Sequence, residues 1–404
     1  MARVICLGGC GVVGSIATKT LAAFPDFSEV VIGDINAQKG QQLIQTNPAK
    51  ISFQKIDVND FDHLVDVLKE FDVVVNTIGP FYQYGPLVLK ATIQAGKKYV
   101  DVSDDVDATQ LALEMNSEAK AAEVSAIIGL GSSPGVTNIL AKFAATDLLD
   151  EVISIDLYHA HGGEPTEGPG VIFHRIHAMT TDIPVFVDGD FKTVSFFSEE
   201  GQSLEEEVEF EKVGTYRVHP YPHPETITLP QFIPGVKRVT NKGTVLPPEY
   251  FYLIVNLVKN GLNDETPLNV KGKKIKPIDF AIAYIIHTRE RILKETNFGT
   301  QRGCVKIVVK GKKAGASHTI IFSLASEDQA LGEGTGMPVA FGAIMLQRGL
   351  INEIGVLPPE ACVDPMEFLG ILQEHLSLET ASGGASPLTI ESIDVNGNIE
   401  KITL

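Results

Sequence analysis

An apolar run that dissolves into glycines opens this chain: residues 4–14 read VICLGGCGVVG. The spacing Gly9-x-Gly11-x-x-Gly14 is that of a strand–turn–helix unit which binds dinucleotides. Gly9 is expected to permit the tight turn out of the strand. Gly11, lacking a Cβ, lets a pyrophosphate approach the backbone, and Gly14 lets the helix lie close to the sheet. The N–H groups that open this helix, at Val12 and Val13, then face the phosphates, where the helix dipole favours negative charge. A second strand, Val30-Val31-Ile32, ends at Asp34, about 20 residues past the last glycine, where a carboxylate accepts from ribose hydroxyls. Ile35 follows at the same edge. Asp34 bonds a 2′-hydroxyl and repels a 2′-phosphate, and no Arg comes directly after it. The cofactor read from these residues is NAD, with NADP as the alternative.

The first 130 residues alternate strand and helix patterns with short turns, as a parallel sheet covered on both faces requires. Asp72 to Asn76 reads as a buried strand ending in Thr77-Ile78-Gly79-Pro80, and Tyr99 to Val102 as the next strand, followed by Ser103-Asp104-Asp105. Ligands bind outside the carboxyl ends of such strands. Asn76, Thr77, Gly79 and Pro80 are therefore assigned to the cofactor, and Phe81 and Tyr82 to the substrate. Asp101, at the end of an apolar strand, reads either as an acid–base group raised by desolvation or as a loop brace. Asp104 is the second acid–base candidate. The competing reading makes Asp104 and Asp105 caps of the next helix. Ser133-Pro134-Gly135 starts a helix whose free N–H groups can hold a substrate carboxylate, unless it is only a turn.

Beyond Asn138 the pattern changes to long strand-like stretches, with helices at Pro248 to Leu262 and Pro277 to Lys294. The expected architecture is α/β, a Rossmann nucleotide-binding domain with an inserted α+β substrate and dimerisation domain. Its expected parts are residues 1–138, 139–331 and a returning helix and tail at 332–404. His159, His161, His174, Arg175 and His177 lie in the middle part. No cysteine accompanies these histidines at ligand spacing, so no metal is assigned. His174 and Arg175 are substrate candidates, with Arg175 either a carboxylate clamp or one half of a surface ion pair. The acidic run Glu205 to Glu211 reads as a solvated strand edge.

At 404 residues, 44% hydrophobic and 21% charged, the chain is globular and longer than one ordinary domain. A formal charge of −18 excludes nucleic acid as the main partner, because phosphate binding needs a basic face. The four cysteines lack metal spacing and read as reduced and buried. No apolar run reaches the roughly 18 residues of a membrane span, and a strand starting at Arg3 leaves no room for a leader. The expectation is a cytoplasmic protein with a small-molecule substrate and neither membrane nor nucleic acid partner.

Five segments together resemble the saccharopine dehydrogenase-like family. They are GGCGVVG, VVNTIGPFYQYGPLVLKA (74–91), YVDVSDD (99–105), GSSPGVTNIL (131–140) and GTGMPVAFGAIML (334–346). The resemblance covers about half of the chain. It implies hydride transfer between a nicotinamide and the C–N bond of an amino-acid or polyamine-type substrate, a split Rossmann domain and a homodimer. The competing classes are a nucleotide-binding sensor or scaffold without turnover, and a carbonyl or enoyl reductase on the same fold. The latter is disfavoured by the lack of a Tyr-x-x-x-Lys pair after the nucleotide motif.

Overall fold

The computed structural model describes residues 2–164, 167–327, 332–378 and 388–403. The chain divides into two compact units. The first comprises residues 1–149, 223–234 and 331–385, and the second residues 150–222, 235–330 and 386–404.

The first unit is built on a parallel sheet. Its strands are β1 (Ala2–Leu7), β2 (Phe27–Asp34), β3 (Ile51–Lys55), β4 (Val73–Asn76), β5 (Lys98–Asp101) and β6 (Ser125–Ile127). They stand in the order β3-β2-β1-β4-β5-β6, and the short strand Gly355–Leu357 adds a seventh beside β6. Consecutive apolar residues split between the two faces because side chains alternate along a strand. Val4, Cys6, Val30, Ile32, Val73 and Val75 pack on one side, with Leu21, Phe341 and Ile344. Ile5, Leu7, Val31 and Val74 pack on the other, with Leu64, Leu68, Val88 and Leu89. At about 25 cal/mol per Å² of apolar area removed from water, this two-sided burial is the main support of the unit. The helices that matter for the site are α1 (Val12–Ala23), α2 (Ala37–Ile44), α3 (Phe61–Leu68), α4 (Phe81–Ala95), α5 (Val106–Glu114), α6 (Asn116–Ala121) and α7 (Val136–Phe143). The expected returning helix spans Gly332–Arg348 and lies against α1, so closely that a Cβ at Gly336 would sit 2.7 Å from the Ile16 side chain.

Several boundaries differ from the sequence reading. α4 begins at Phe81, directly after Pro80, so Phe81 and Tyr82, assigned to the substrate from the sequence, lie in its first turn. The helix expected after Asp105 is two, α5 and α6, meeting at Met115. The strand Gly355–Leu357 was not anticipated, being too short to show a period.

The second unit is a ten-stranded, mostly antiparallel sheet. Glu151–Gly162 lies at its centre, parallel to Arg238–Leu246 and antiparallel to Arg302–Lys313. Two of the long strand-like stretches expected beyond Asn138 are instead hairpins: Ile183–Val187 with Asp190–Val194, and Glu206–Phe210 with Gly214–Pro220. Positive φ at Asp188 and Gly189, and at Lys212 and Gly214, marks the turns. The strand Glu206–Phe210 stands at the sheet edge with Glu206, Glu207 and Glu209 exposed. Helices Pro169–Thr180, Pro248–Lys259 and Pro277–Glu295 share one apolar cluster. The α/β architecture, a Rossmann sheet with an inserted α+β part, is the one expected.

Candidate active site

The parallel order reverses between β1 and β4, and the loops after these strands define a crevice. After β1 the turn is made by Gly8, not by Gly9 as its motif position suggested. Gly8 takes φ +75°, where a side chain is strained, and its N–H donates to the Gly33 carbonyl at 2.9 Å. Gly9 is required for space: a Cβ there would lie 2.9 Å from the Cys6 carbonyl oxygen. Gly14 is the most constrained of the motif, since its Cβ would meet the Gly8 oxygen at 2.3 Å and Thr77 Oγ1 at 2.6 Å. Gly11, the residue before α1, would place a Cβ near nothing but the Gly8 oxygen, at 3.2 Å. That open approach is the room a pyrophosphate needs, and the unpaired first-turn N–H groups of a helix lie behind it.

Asp34, at the end of β2, braces this turn. Its Oδ2 accepts from the Cys10 N–H at 3.0 Å and its Oδ1 from the Asn36 N–H at 2.9 Å. Each oxygen keeps a lone pair for a ribose hydroxyl. A groove of about 290 Å³ runs alongside, lined by Cys10, Gly11, Val12, Ser15, Lys39 and Leu43. Val12 and Ile35 are 74% and 67% exposed, apolar surface left open where a nucleoside would pack. Lys39 adds a cation to the groove that the motif did not reveal. All four cysteines are free and buried. Burial, reinforced by Asp34, pushes the Cys10 thiol up to about 12, which keeps it neutral beside the turn.

After β4, Thr77 clamps onto β1, its N–H and Oγ1 both donating to the Leu7 carbonyl at 2.9 and 2.8 Å. Gly79 faces open space, and Pro80 precedes α4. Asn76 is buried and begins a chain of hydrogen bonds across three strand ends. Its Nδ2 donates to Tyr99 Oη at 3.0 Å, and Tyr99 Oη donates to Asp101 Oδ2 at 2.8 Å. Asp101 Oδ1 accepts from the N–H groups of Ser103 at 3.0 Å and Gly129 at 2.7 Å. Burial pushes Asp101 up to about 6, against these hydrogen bonds. Asp101 is thus 2% exposed, with both oxygens holding the β5 and β6 loops together.

Asp105 does not cap its own helix; its Oδ2 accepts the Tyr82 N–H at 3.0 Å and so caps α4. Asp104 is half-buried on the same loop, Phe81 is buried and Tyr82 half-buried. The helix start after Ser133 does not offer the expected free N–H groups. Val136 and Thr137 donate to the carbonyls of Gly131 and Ser132 at 2.9 and 3.1 Å, and the Gly135 N–H to Asn138 Oδ1 at 2.9 Å.

Ser133 instead leads to residues that the sequence reading passed over. Its Oγ donates to Glu225 Oε1 at 2.6 Å, and Thr137 Oγ1 donates to the same atom at 2.9 Å. Glu225 Oε2 lies 2.8 Å from His223 Nδ1. Glu225 is fully buried; burial pushes its carboxyl up, but His223 and the hydroxyls outweigh that and hold it below the usual range. Asn138 Nδ2 then donates to Glu360 Oε2 at 2.8 Å, and burial pushes Glu360 up to about 7. In the sequence, His223 and Glu225 show only as proline punctuation, Pro222-His223-Pro224-Glu225, and Glu360 as the residue after two prolines.

His174 and Arg175 belong to the second unit, on the helix Pro169–Thr180. His174 is half-buried. Arg175 is 4% exposed and ion-paired with Glu167, which also accepts from Tyr250 Oη. Arg289 Nε lies 3.3 Å from Glu167 Oε2, and its Nη2 donates to the Glu164 carbonyl at 2.6 Å. The Arg175 pair is a buried one rather than the surface pair weighed from the sequence.

Residues 4–127 match the family described as "Saccharopine dehydrogenase NADP binding domain". The chain is 24% identical over 396 residues to carboxyaminopropylagmatine dehydrogenase of Synechocystis sp., covering 93% of this chain and 96% of that protein. It is 24% identical over 376 residues to carboxynorspermidine synthase of Vibrio cholerae, covering 85% and 87%. In fold it is similar to apo saccharopine dehydrogenase (L-Glu forming) from Saccharomyces cerevisiae, with TM-score 0.67, 18% identity and coverage of 97% and 100%. No helix among the described residues is long and apolar enough to cross a membrane. Residues 4–127 thus carry a nucleotide-binding domain of the saccharopine dehydrogenase type, and the fold is similar to that of saccharopine dehydrogenase.

Proposed function

We propose that this chain moves a hydride between NAD(P) and a carbon bonded to nitrogen in a carboxylated polyamine-type secondary amine. The observation that carries the reading is the open cradle at Gly11 beside Asp34, in a chain aligned over nearly its whole length with two enzymes named for such amines. When bound, the nicotinamide supplies the hydride chemistry. Gly9, Gly11, Val12, Val13 and Gly14 would hold the pyrophosphate, Asp34 and Ile35 the adenosine end, and Asn76, Thr77, Gly79 and Pro80 the nicotinamide side. Asp34 supports NAD, whereas the family description and Lys39 in the groove support NADP. Phe81, Tyr82, Asp104 and Ser133 lie at the carboxyl ends of the strands, where a substrate belongs. Asp101 is assigned to positioning these loops. His174 remains the substrate candidate of the second unit, whereas the buried pair with Glu167 commits Arg175 to structure.

The chain is further proposed to be a cytoplasmic homodimer with a small-molecule substrate. The family resemblance supports the dimer, and the charge of −18 supports the absence of a nucleic-acid partner. The decisive assay follows nicotinamide absorbance with carboxynorspermidine, carboxyaminopropylagmatine or saccharopine and each oxidised cofactor. Turnover of one of the first two is expected. Tight binding of NADH or NADPH without turnover of any amine would leave a nucleotide-binding sensor.

A further inference from the structure

We propose that the solvent face of the helix Pro277–Glu295, with the hairpin before it, is the surface by which two copies of this chain pair about a two-fold axis. The inference names a surface for the homodimer proposed above; it rests on that dimer and not on the identity of the substrate.

The helix carries two stripes. Ile278, Ile285 and Ile292 recur every seven residues and are buried in the apolar cluster of the second unit. Phe280, Tyr284, His287 and Arg291 recur at spacings of four, three and four on another side, and all four are exposed. That alternation of four and three is the seam spacing of paired helices. A helix face meant for water carries charged and polar residues instead. Here Phe280 is 55% and Tyr284 40% exposed, with their rings stacked at 6.0 Å.

The hairpin extends the patch. Leu268–Val270 pairs with Lys273–Ile275 and with no other strand among the described residues. Leu268 stands opposite Ile275 and Val270 opposite Lys273, so Leu268, Val270 and Ile275 share one face of the ribbon. Leu268 and Val270 are 55% and 47% exposed. A two-stranded ribbon is marginal in water unless something covers its apolar face. Only Lys276 separates this ribbon from the helix, so the two exposed apolar features adjoin.

A second copy is the occupant because the stripe complements itself. Spacings of four, three and four read the same in both directions. Antiparallel pairing therefore sets Phe280 against the partner's Arg291 and Tyr284 against the partner's His287, and the two-fold axis repeats each contact. A guanidinium over an aromatic face is attractive. The same register brings Lys276 to the partner's Glu295, and antiparallel helices oppose their dipoles. Parallel pairing would instead set Arg291 against the partner's Arg291. Arg291 now holds an exposed pair with Glu295 at 3.2 Å, a contact that costs little to rearrange.

The test is sedimentation equilibrium of the full-length protein. The wild type is expected at twice the chain mass. Phe280→Lys sets an ammonium against the partner's Arg291 twice over and should weaken the dimer by about 100-fold or more. Its far-UV circular dichroism should match wild type, since lysine is a good helix former at an exposed position. Adding Arg291→Glu restores opposite charges in the same register and should regain about tenfold or more. A further readout needs no variant: amide hydrogen exchange over residues 268–275 of the wild type should slow as concentration rises through the dimer range. A monomeric wild type overturns the dimer and this surface together. Unchanged dimer affinity in Phe280→Lys, or exchange over 268–275 that is the same at all concentrations, overturns this surface alone. A double variant that pairs no more tightly than Phe280→Lys overturns the antiparallel register.

Discussion

Replacing Glu360 should stabilise this protein, by an amount that grows as pH rises from 4.5 to about 7 and is constant above that. It is 3% exposed; Oε2 accepts from Asn138, and Oε1 has no hydrogen-bond partner among the described residues. Burial raises its carboxyl from 4.5 to about 7, and the charge on Glu225 adds to that, against hydrogen bonds from Thr228 and Asn138. The native state therefore holds a proton that the unfolded chain has already lost. Below pH 4.5 both states are protonated and there is no penalty. Between 4.5 and about 7 the unfolded chain ionises first and stability falls; above 7 the loss is complete. At about 1.4 kcal/mol per pH unit, that interval amounts to about 3 kcal/mol. Glu360→Gln keeps an acceptor for Asn138 and cannot ionise. Urea unfolding of the cofactor-free protein, followed by circular dichroism because the chain has no Trp, compares the two proteins across pH. The variant should exceed wild type by up to about 3 kcal/mol at pH 8, with the gap closing towards pH 5. A difference that does not change with pH, or a variant less stable at pH 8, would refute the argument.

Gly11→Val should abolish NAD(P)H binding while the melt stays near wild type, since its Cβ meets one atom at 3.2 Å; wild-type affinity would remove the cradle from the argument. Gly14→Ala should lower stability by about 1–3 kcal/mol as well as cofactor affinity, because backbone and Thr77 must move; a full-stability variant would show the close packing to be soft. Asp34→Ser should shift the NADPH/NADH affinity ratio upward by about tenfold through loss of the carboxylate that repels a 2′-phosphate, and wild-type protein already binding NADPH tenfold tighter would count against that role. Asp101→Asn should cost less than about tenfold in kcat, whereas a loss of 10²–10⁴ with unchanged stability would return the base to Asp101.

Local chemistry alone determined the nucleotide half of this protein. A turn of glycines after an apolar strand, a carboxylate at the next strand end and runs such as Val73-Val74-Val75 are written within a few residues, so spacing suffices to read them. Within that motif, the division of labour between Gly8 and Gly9 was not legible, because which glycine takes positive φ depends on where Gly33 accepts its hydrogen bond. Asp101 and Asp105 show the same limit. A strand-end carboxylate has one appearance in sequence, but its chemistry depends on whether N–H groups from Gly129 or Tyr82 reach it. Tertiary structure alone joined Ser133, His223, Glu225 and Glu360, which lie up to 227 positions apart. Periodicity and propensity act over one or two turns of chain, whereas a buried carboxylate takes its partners from whatever the fold brings to it.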